Sequence, residues 1–292
     1  MPRLPKDIVD SALYLYASRE DALAHKNFGG TAFLLSMTSE RYPEITYFYV
    51  VSNWHVAVRD GCSVLGLNTL DGSTDAYELG PEDWVFDPNG DDVAVALVRL
   101  NFDVHRVNPI PIKLIYSKAQ MLAPDPDGVG LGDDVFMMGR FIDSEYLATN
   151  SPAIRFGHIS AVMAQVQQPG RGFRESYCLD MHSRNGYSGS PVFAYRTPGT
   201  NLARTYLSGG IPELKETVLV LLGAHFGQFG EPLEIVGGGG GSVAGFSGMT
   251  GVVPAWKIRE LIDCDALKQQ RKIFDDEWAE VFRREGRPPI AE

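Results

Sequence analysis

The sequence has very little cysteine: Cys62, Cys178 and Cys264 are the only three among 292 residues. An odd number of cysteines does not make a complete disulfide framework. The ordinary role for each of them is that of a small buried apolar residue. We therefore expect reduced thiols and a cytoplasmic protein.

The sequence also lacks excess positive charge and long apolar runs. Its 26 Lys and Arg residues are outnumbered by 37 Asp and Glu residues, which leaves a net charge of -11 and no basic stripe for nucleic acid. No apolar run follows the basic residues within 1–6, and no segment approaches the roughly 18 apolar residues of a membrane span. We therefore expect no secretory signal, no membrane segment and no nucleic-acid partner.

Motifs for bound metals and nucleotides are missing as well. No Cys and His spacing is typical of a metal site. No glycine pattern follows a strand and opens a helix, as a nucleotide site requires. We therefore expect no metal and no cofactor.

Short apolar segments, rich in aromatic and β-branched residues and separated by turn residues, recur along the chain. Strands are predicted over 11–17, 29–36, 47–51, 93–100, 134–138, 154–166, 177–181, 191–195, 218–224 and 250–253. This pattern is typical of an all-β barrel or sandwich. The chain is long enough for a single body of about 250 residues built from two barrels.

The pattern changes after Pro254. Residues 255–285 lack glycine, and apolar residues such as Phe274 and Trp278 recur at helical spacing. This predicts a C-terminal helix that docks on the barrels, or alternatively one that binds a regulatory protein. Before it, five consecutive glycines at 237–241 predict a mobile loop, either a tolerated linker or an adaptable rim of a binding site.

Three polar residues lie beside apolar segments in the order histidine, acid, serine: His55, Asp92 and Ser188. A serine hydroxyl is a weak nucleophile at neutral pH. It needs a base within hydrogen-bond reach, and the base needs a third group that fixes its tautomer. The residue types and their order are those of a nucleophilic triad. Asp91 competes with Asp92 for the acid, but Asp92 abuts the apolar run and is the one we expect to be buried.

The turn around Ser188 also offers donors for a developing oxyanion. A tetrahedral intermediate needs such donors, and the backbone N–H groups of Gly186 and Ser188 would point to a common site if the turn is tight. Glycine suits position 186 because the backbone must approach a substrate closely there.

Six segments match the motifs of one known family. They are Gly30-Thr31-Ala32-Phe33-Leu34, Val51-Ser52-Asn53-Trp54-His55-Val56, Asp92-Val93-Ala94-Val95, Gly186-Tyr187-Ser188-Gly189-Ser190-Pro191, Leu222-Gly223-Ala224-His225-Phe226-Gly227 and Gly251-Val252-Val253-Pro254-Ala255-Trp256-Lys257-Ile258. The sequence thereby resembles trypsin-like (chymotrypsin-fold) serine peptidases of the bacterial, non-secreted kind. The resemblance spans roughly residues 12–262 and is specific at the histidine and serine motifs.

The resemblance implies two antiparallel six-stranded β-barrels with the site in the cleft between them, followed by a C-terminal helix. A single peptidase domain would cover 1–290. Within it, the N-terminal barrel would take about 12–140, the C-terminal barrel about 150–254 and the helical segment about 255–285.

The resemblance also implies the chemistry. Ser188 would be the nucleophile, His55 the general base and Asp92 the orienting acid in hydrolysis of peptide bonds through an acyl-enzyme. A protein or peptide substrate would add a strand to the edge near 224–227.

The sequence departs from secreted relatives at three positions. Tyr187 stands where they carry an acid that pairs with a newly cut N-terminus, so activation by that route is not expected. Val56 replaces a cysteine, which removes a disulfide. Phe226 replaces a serine that supports the buried acid in many relatives.

The specificity pocket is predicted at Ser183, His225, Phe226 and Gly227. No acid occurs in its two segments, which disfavours a basic residue before the scissile bond. Ser183 and His225 resemble residues of glutamyl endopeptidases, which favours an acidic residue there. The alternative is that His225 packs beneath the site and the pocket accepts a small or apolar side chain.

Two other functions compete with a peptidase. The first is a catalytically silent module that grips a peptide on the same fold. The second is an α/β-hydrolase esterase, which predicts the order serine, acid, histidine. It is disfavoured because strands outnumber helical segments and only His225 follows Ser188.

Overall fold

A computed structural model describes residues 4–123, 125, 127–140, 149–197, 218–234 and 242–284. The five-glycine run at 237–241 and the predicted end of the C-terminal helix at 285 lie outside these residues. Within them, no helix is both long and apolar enough to cross a membrane.

The first half of the chain folds into one seven-stranded sheet, here called the N-terminal sheet. Its strands run in the order β5-β4-β1-β2-β3-β6, and β7 pairs with β2 in parallel. They are β1 (Ala12–Tyr16), β2 (Phe28–Thr38), β3 (Thr46–Ser52), β4 (Val64–Asn68), β5 (Thr74–Tyr77), β6 (Ala94–Val98) and β7 (Ile110–Pro111).

The second half folds into a closed six-stranded antiparallel barrel, here called the C-terminal barrel, in the order β10-β13-β12-β11-β8-β9. Its strands are β8 (Asp134–Arg140), β9 (Pro152–Gln168), β10 (Gly172–Asp180), β11 (Pro191–Arg196), β12 (Val218–Glu234) and β13 (Ser242–Pro254). Its interior is filled by side chains such as Met137, Leu179 and Val252.

Strands of the N-terminal sheet bury both faces. In β2, Leu34 packs into the core of that sheet, whereas Phe33 and Leu35 belong to a second core that also contains Phe193 and Leu221 of the C-terminal barrel. Neighbouring residues on a strand point to opposite faces, so a strand that is buried on both faces has a continuous run of apolar residues in its sequence. The shared second core joins the two halves.

The architecture agrees with the predicted mostly β fold of two antiparallel sheets followed by helices. The prediction of a second closed barrel at the N-terminal sheet does not hold for the described residues. There β5, at one end of the strand order, has only four residues, and the β2–β7 pair is parallel. The boundary near residue 140 also differs, because β8 pairs with β9 and β11 and so belongs to the C-terminal barrel.

Four α-helices lie in the described chain: α1 (Arg19–Ala24), α2 (Lys118–Leu122), α3 (Ala255–Ile262) and α4 (Asp265–Arg284). The predicted C-terminal helix is therefore two helices. Helix α4 packs on the N-terminal sheet, with Phe282 against Tyr42 at 5.4 Å and Phe274 against Tyr47 at 5.7 Å between ring centroids. Docking on the sheets matches the expectation, whereas binding of a regulatory protein there stays a prediction.

Candidate active site

His55 and Asp92 meet because their strands are neighbours. His55 opens a single π-helical turn, His55–Arg59, just after β3, and Asp92 lies just before β6. Strands β3 and β6 pair from Ser52 opposite Ala94. The ends of the two strands therefore place the histidine beside the acid.

Two hydrogen bonds join His55 to Asp92. Nδ1 of His55 lies 2.6 Å from Oδ2 of Asp92, and the backbone N–H of His55 donates to Oδ1 at 2.9 Å. The carboxylate is completely buried. A buried acid bonded to Nδ1 fixes the ring orientation and leaves Nε2 as the nitrogen available to a third group.

Asn53 and Gln168 hold the backbone of Asp92. The side-chain amide of Asn53 donates to the Asp92 carbonyl at 2.8 Å. The backbone N–H of Asp92 donates to Oε1 of Gln168, the last residue of β9, at 2.7 Å. Sequence reasoning missed both roles. Asn53 lies inside the histidine motif, so its role could have been inferred from the sequence. No local sequence pattern indicates the role of Gln168.

Asp91 points away from the histidine. Its carboxylate accepts a hydrogen bond from Nε2 of Gln168 at 3.1 Å and lies 3.9 Å from Nζ of Lys257. Burial raises the pKa of Asp91, against the attraction of Lys257. Of the two candidate acids, Asp92 is the one in contact with His55.

The turn that carries Ser188 is fixed against β2. The backbone N–H of Thr31 donates to the Ser188 carbonyl at 2.8 Å, and Oγ1 of Thr31 donates to the Gly186 carbonyl at 2.8 Å. Gly189 has a φ of +86°, and a Cβ there would lie 1.9 Å from the Thr31 carbonyl oxygen. Only glycine fits this close approach between the two halves.

The two predicted oxyanion donors are available. Within the described residues, the backbone N–H groups of Gly186 and Ser188 donate to no acceptor. Their neighbours in the turn are satisfied: Tyr187 N–H bonds to Arg184, Gly189 N–H to His225, and Ser190 N–H to Tyr187. An unpaired N–H on either side of Tyr187 is what a site for a developing negative charge requires.

The hydroxyl of Ser188 is turned toward β12. It donates to the carbonyl of Phe226 at 3.4 Å. No hydrogen bond links it to Nε2 of His55 in the part of the chain that the structure describes. Such bonds are often long or absent in unliganded active sites and form when substrate binds.

Tyr187 is a buried residue of the serine turn. Its side chain is 1% exposed, and the guanidinium of Arg155 lies over its ring, 4.9 Å from the centroid. Its hydroxyl has no partner among the described residues. Packing, rather than an ion pair, therefore holds this position of the serine turn.

An open cavity of about 870 Å³ lies beside the serine turn. Its lining residues are Arg155, His182, Ser183, Arg184, Asn185, Gln228 and Phe246. Of the four residues predicted for the specificity pocket, Ser183 lines this cavity. His225, Phe226 and Gly227 are not among its described lining residues, and the first two are buried.

His225 is a buried structural link of the serine turn. Its ring nitrogens lie against the Tyr187 carbonyl, 3.0 Å from Nδ1, and against Oγ1 of Thr250. Burial lowers the pKa of His225 to about 4, although the bond with the Tyr187 carbonyl acts in the opposite direction. The ring is therefore neutral at pH 7.

Comparison with known proteins bears on the overall fold. No family model and no curated protein matches the chain. The MamO protease domain from Magnetospirillum magneticum is structurally similar, with a TM-score of 0.52 at 13% identity over 88% of this chain and 98% of that one. The active form of the Rv3671c protease from M. tuberculosis gives 0.44 at 17% identity over 90% and 91%. The first similarity shows that the chain has the fold of trypsin-like serine proteases.

The described residues form no cluster of metal-ligating side chains. No group of three or more His, Cys, Asp or Glu side chains among them is arranged to hold an ion.

Proposed function

We propose that the protein is a serine endopeptidase. The observation that carries the proposal is the pair of His55 and Asp92, joined by two hydrogen bonds, together with a serine turn whose Gly186 and Ser188 N–H groups have no acceptor among the described residues. Active sites for acyl transfer use a carboxylate–imidazole pair as the base and unpaired backbone N–H groups to bind the oxyanion. The protease-like fold agrees with a peptide substrate in general terms.

In the proposed reaction Ser188 Oγ attacks the carbonyl carbon of the scissile bond and its proton passes to Nε2 of His55. Asp92 stabilises the imidazolium, and the N–H groups of Gly186 and Ser188 bind the oxyanion. The intermediate collapses to an acyl-enzyme when His55 returns the proton to the leaving amine. Water, activated by His55, then releases the acyl group. The cycle begins with rotation of the Ser188 hydroxyl from the Phe226 carbonyl toward His55.

The same carbonyl belongs to the strand along which a substrate would lie. Once Ser188 turns to His55, the Phe226 oxygen becomes free to accept a hydrogen bond from a backbone N–H of an extended peptide.

We also propose that the protein works in a reducing compartment such as the cytoplasm, because Cys62, Cys178 and Cys264 are all unpaired.

The test is labelling by a fluorophosphonate probe, which reacts with activated serines. Wild-type protein should be labelled and Ser188→Ala should not. Ser190→Ala is the matched control, because the Ser190 hydroxyl lies in the same turn, is fully buried and has no partner among the described residues. Labelling that survives Ser188→Ala would refute the assigned nucleophile.

A peptide-binding module without catalysis is the second candidate, and one observation favours it. Ser188 Oγ is bonded to Phe226 rather than to His55. This candidate predicts that a peptide binds, as measured by calorimetry, while the probe labels neither wild type nor Ser188→Ala.

A further inference from the structure

The cavity beside Ser188 is positively charged, although the protein as a whole is acidic with a net charge of -11. Its described lining contains two arginines, Arg155 and Arg184, and no acid. The remaining lining is polar or aromatic. An anionic group that enters this cavity therefore meets two arginines and no carboxylate among the described lining residues.

Arg155 is the more enclosed of the two arginines. It projects from β9 and is half-buried, with its guanidinium over the Tyr187 ring. Its Nε is buried and has no hydrogen-bond partner, and Arg155 forms no ion pair with any described residue. A buried guanidinium nitrogen usually has a hydrogen-bond partner, because an unpaired one loses its hydration without compensation. Among the described residues, the Nε of this arginine therefore lacks a partner.

The hydroxyl of Ser183 is a second hydrogen-bond donor in the same cavity that has no acceptor among the described residues. Its side chain is 5% exposed, and its hydroxyl is buried without a partner. His225, by contrast, has both ring nitrogens engaged. The positive charge available here thus belongs to arginine and not to the histidine.

We propose that this cavity is a carboxylate-binding subsite, in which Arg155 and Ser183 bind the side chain of a glutamate or aspartate that precedes the scissile bond. The proposal rests on the proposed endopeptidase function and names its substrate class. A guanidinium and a carboxylate form short charge-assisted hydrogen bonds in a matched geometry, and the hydroxyl adds a further donor. Because Arg155 also covers Tyr187, which precedes Ser188, the bound carboxylate would sit next to the nucleophile.

The test uses three quenched-fluorescent peptide mixtures with randomised flanking positions and Glu, Gln or Lys at the position before the bond. Wild-type protein should cleave the Glu mixture fastest. Arg155→Gln should lower kcat/KM for the Glu mixture by about 100-fold, since truncation of one partner of a buried charge pair is costly. The uncharged Gln mixture should lose far less. Arg106→Gln, an arginine of the N-terminal sheet region paired with Asp10, is the control and should keep the wild-type preference.

Two results would overturn the proposal while leaving the endopeptidase intact. One is equal cleavage of the Glu and Gln mixtures by protein that the fluorophosphonate probe labels. The other is loss of the Glu preference in Arg184→Gln with no loss in Arg155→Gln, which would assign the charge to the exposed arginine.

A binding measurement keeps the two proposals separable if no mixture is cleaved. Ser188→Ala is titrated with Glu and Gln peptides by calorimetry. Tighter binding of the Glu peptide that disappears in the double variant with Arg155→Gln supports the subsite, even if the endopeptidase proposal has failed. Equal binding of both peptides refutes the subsite.

Discussion

At the scale of single residues, the residue that sequence motifs do not reveal is Gln168. It is completely buried and touches the acid pair from the opposite half of the molecule. One amide serves three partners: its oxygen accepts from Asp92 N–H, and its nitrogen donates to Asp91 and to Ser176. We regard it as a positioning residue for Asp92.

Gln168→Met should slow labelling by the fluorophosphonate probe and destabilise the protein. The change leaves the buried N–H of Asp92 without an acceptor, which costs about 1–3 kcal/mol of unfolding free energy. Displacement of the carboxylate from His55 should lower the rate of fluorophosphonate labelling by about 10- to 100-fold. Urea unfolding and labelling kinetics measure the two effects.

The neighbouring exposed residue provides the control, since Gln167→Met should alter neither quantity. A Gln168→Met protein that is less stable yet labels at the wild-type rate below its unfolding transition would contradict a positioning role.

His225 makes the stability of the protein depend on pH. Its folded pKa, about 4, lies below the ordinary value of 6.5, because burial disfavours the charged ring. Between these two values the unfolded chain binds a proton that the folded chain does not. Stability therefore falls as pH drops from 6.5 toward 4, by up to about 3 kcal/mol.

Urea unfolding of wild type and His225→Asn at pH 7 and pH 4.5 isolates this contribution. The difference in unfolding free energy between the two pH values should be smaller in the variant. The exposed His182→Asn should behave like wild type. Identical pH dependence in all three proteins would rule out the buried neutral ring as the cause.

At the scale of elements, a buried carboxylate of helix α4 adds hydrogen bonds to the aromatic contacts that hold this helix on the N-terminal sheet. Asp275 accepts hydrogen bonds from the Tyr47 hydroxyl and from Oγ of Ser39, the latter at 3.2 Å. Burial raises the pKa of Tyr47, and its bond with Asp275 raises it further. The hydroxyl therefore stays protonated and remains a donor.

Asp275→Ala should lower the unfolding free energy by about 1–3 kcal/mol, because it leaves the Tyr47 hydroxyl unpaired. Asp276→Ala is the matched neighbour. It removes only an exposed ion pair with Arg41, which is worth about 0–1 kcal/mol. Equal losses in the two variants, measured by urea unfolding, would argue against an anchoring role for Asp275.

The elements also show where sequence patterns succeed. Long apolar segments predicted ten of the strands, because burial on both faces leaves a run that is easily seen, as in β2 and β3. Strands β4, β5 and β7 were missed. β7 has two residues, and β5 is the polar sequence Thr-Asp-Ala-Tyr, so neither carries an apolar signal.

At the scale of the whole molecule, some residues of the candidate site lie in recognisable sequence motifs, whereas others reach the site only through contacts between distant parts of the chain. His55, Asp92 and Ser188 could be proposed from the sequence because each lies in a short motif of its own. Gln168 is 76 residues from Asp92 along the chain, and Arg155 meets the serine turn only in the folded barrel. Side chains that act across the two halves leave no local pattern.

The contact of Gln168 with Asp91 and Asp92 also limits how this molecule can be recombined. The acid pair lies in the N-terminal half, and its amide partner ends a strand of the C-terminal barrel. Thr31 and Gly189 form a second close contact between the halves, in which the Thr31 carbonyl leaves no room for a side chain at position 189. A chimera that joins either half to the corresponding half of another protein with this fold must transfer both contacts together. Exchange of one half alone would separate the partners of both contacts.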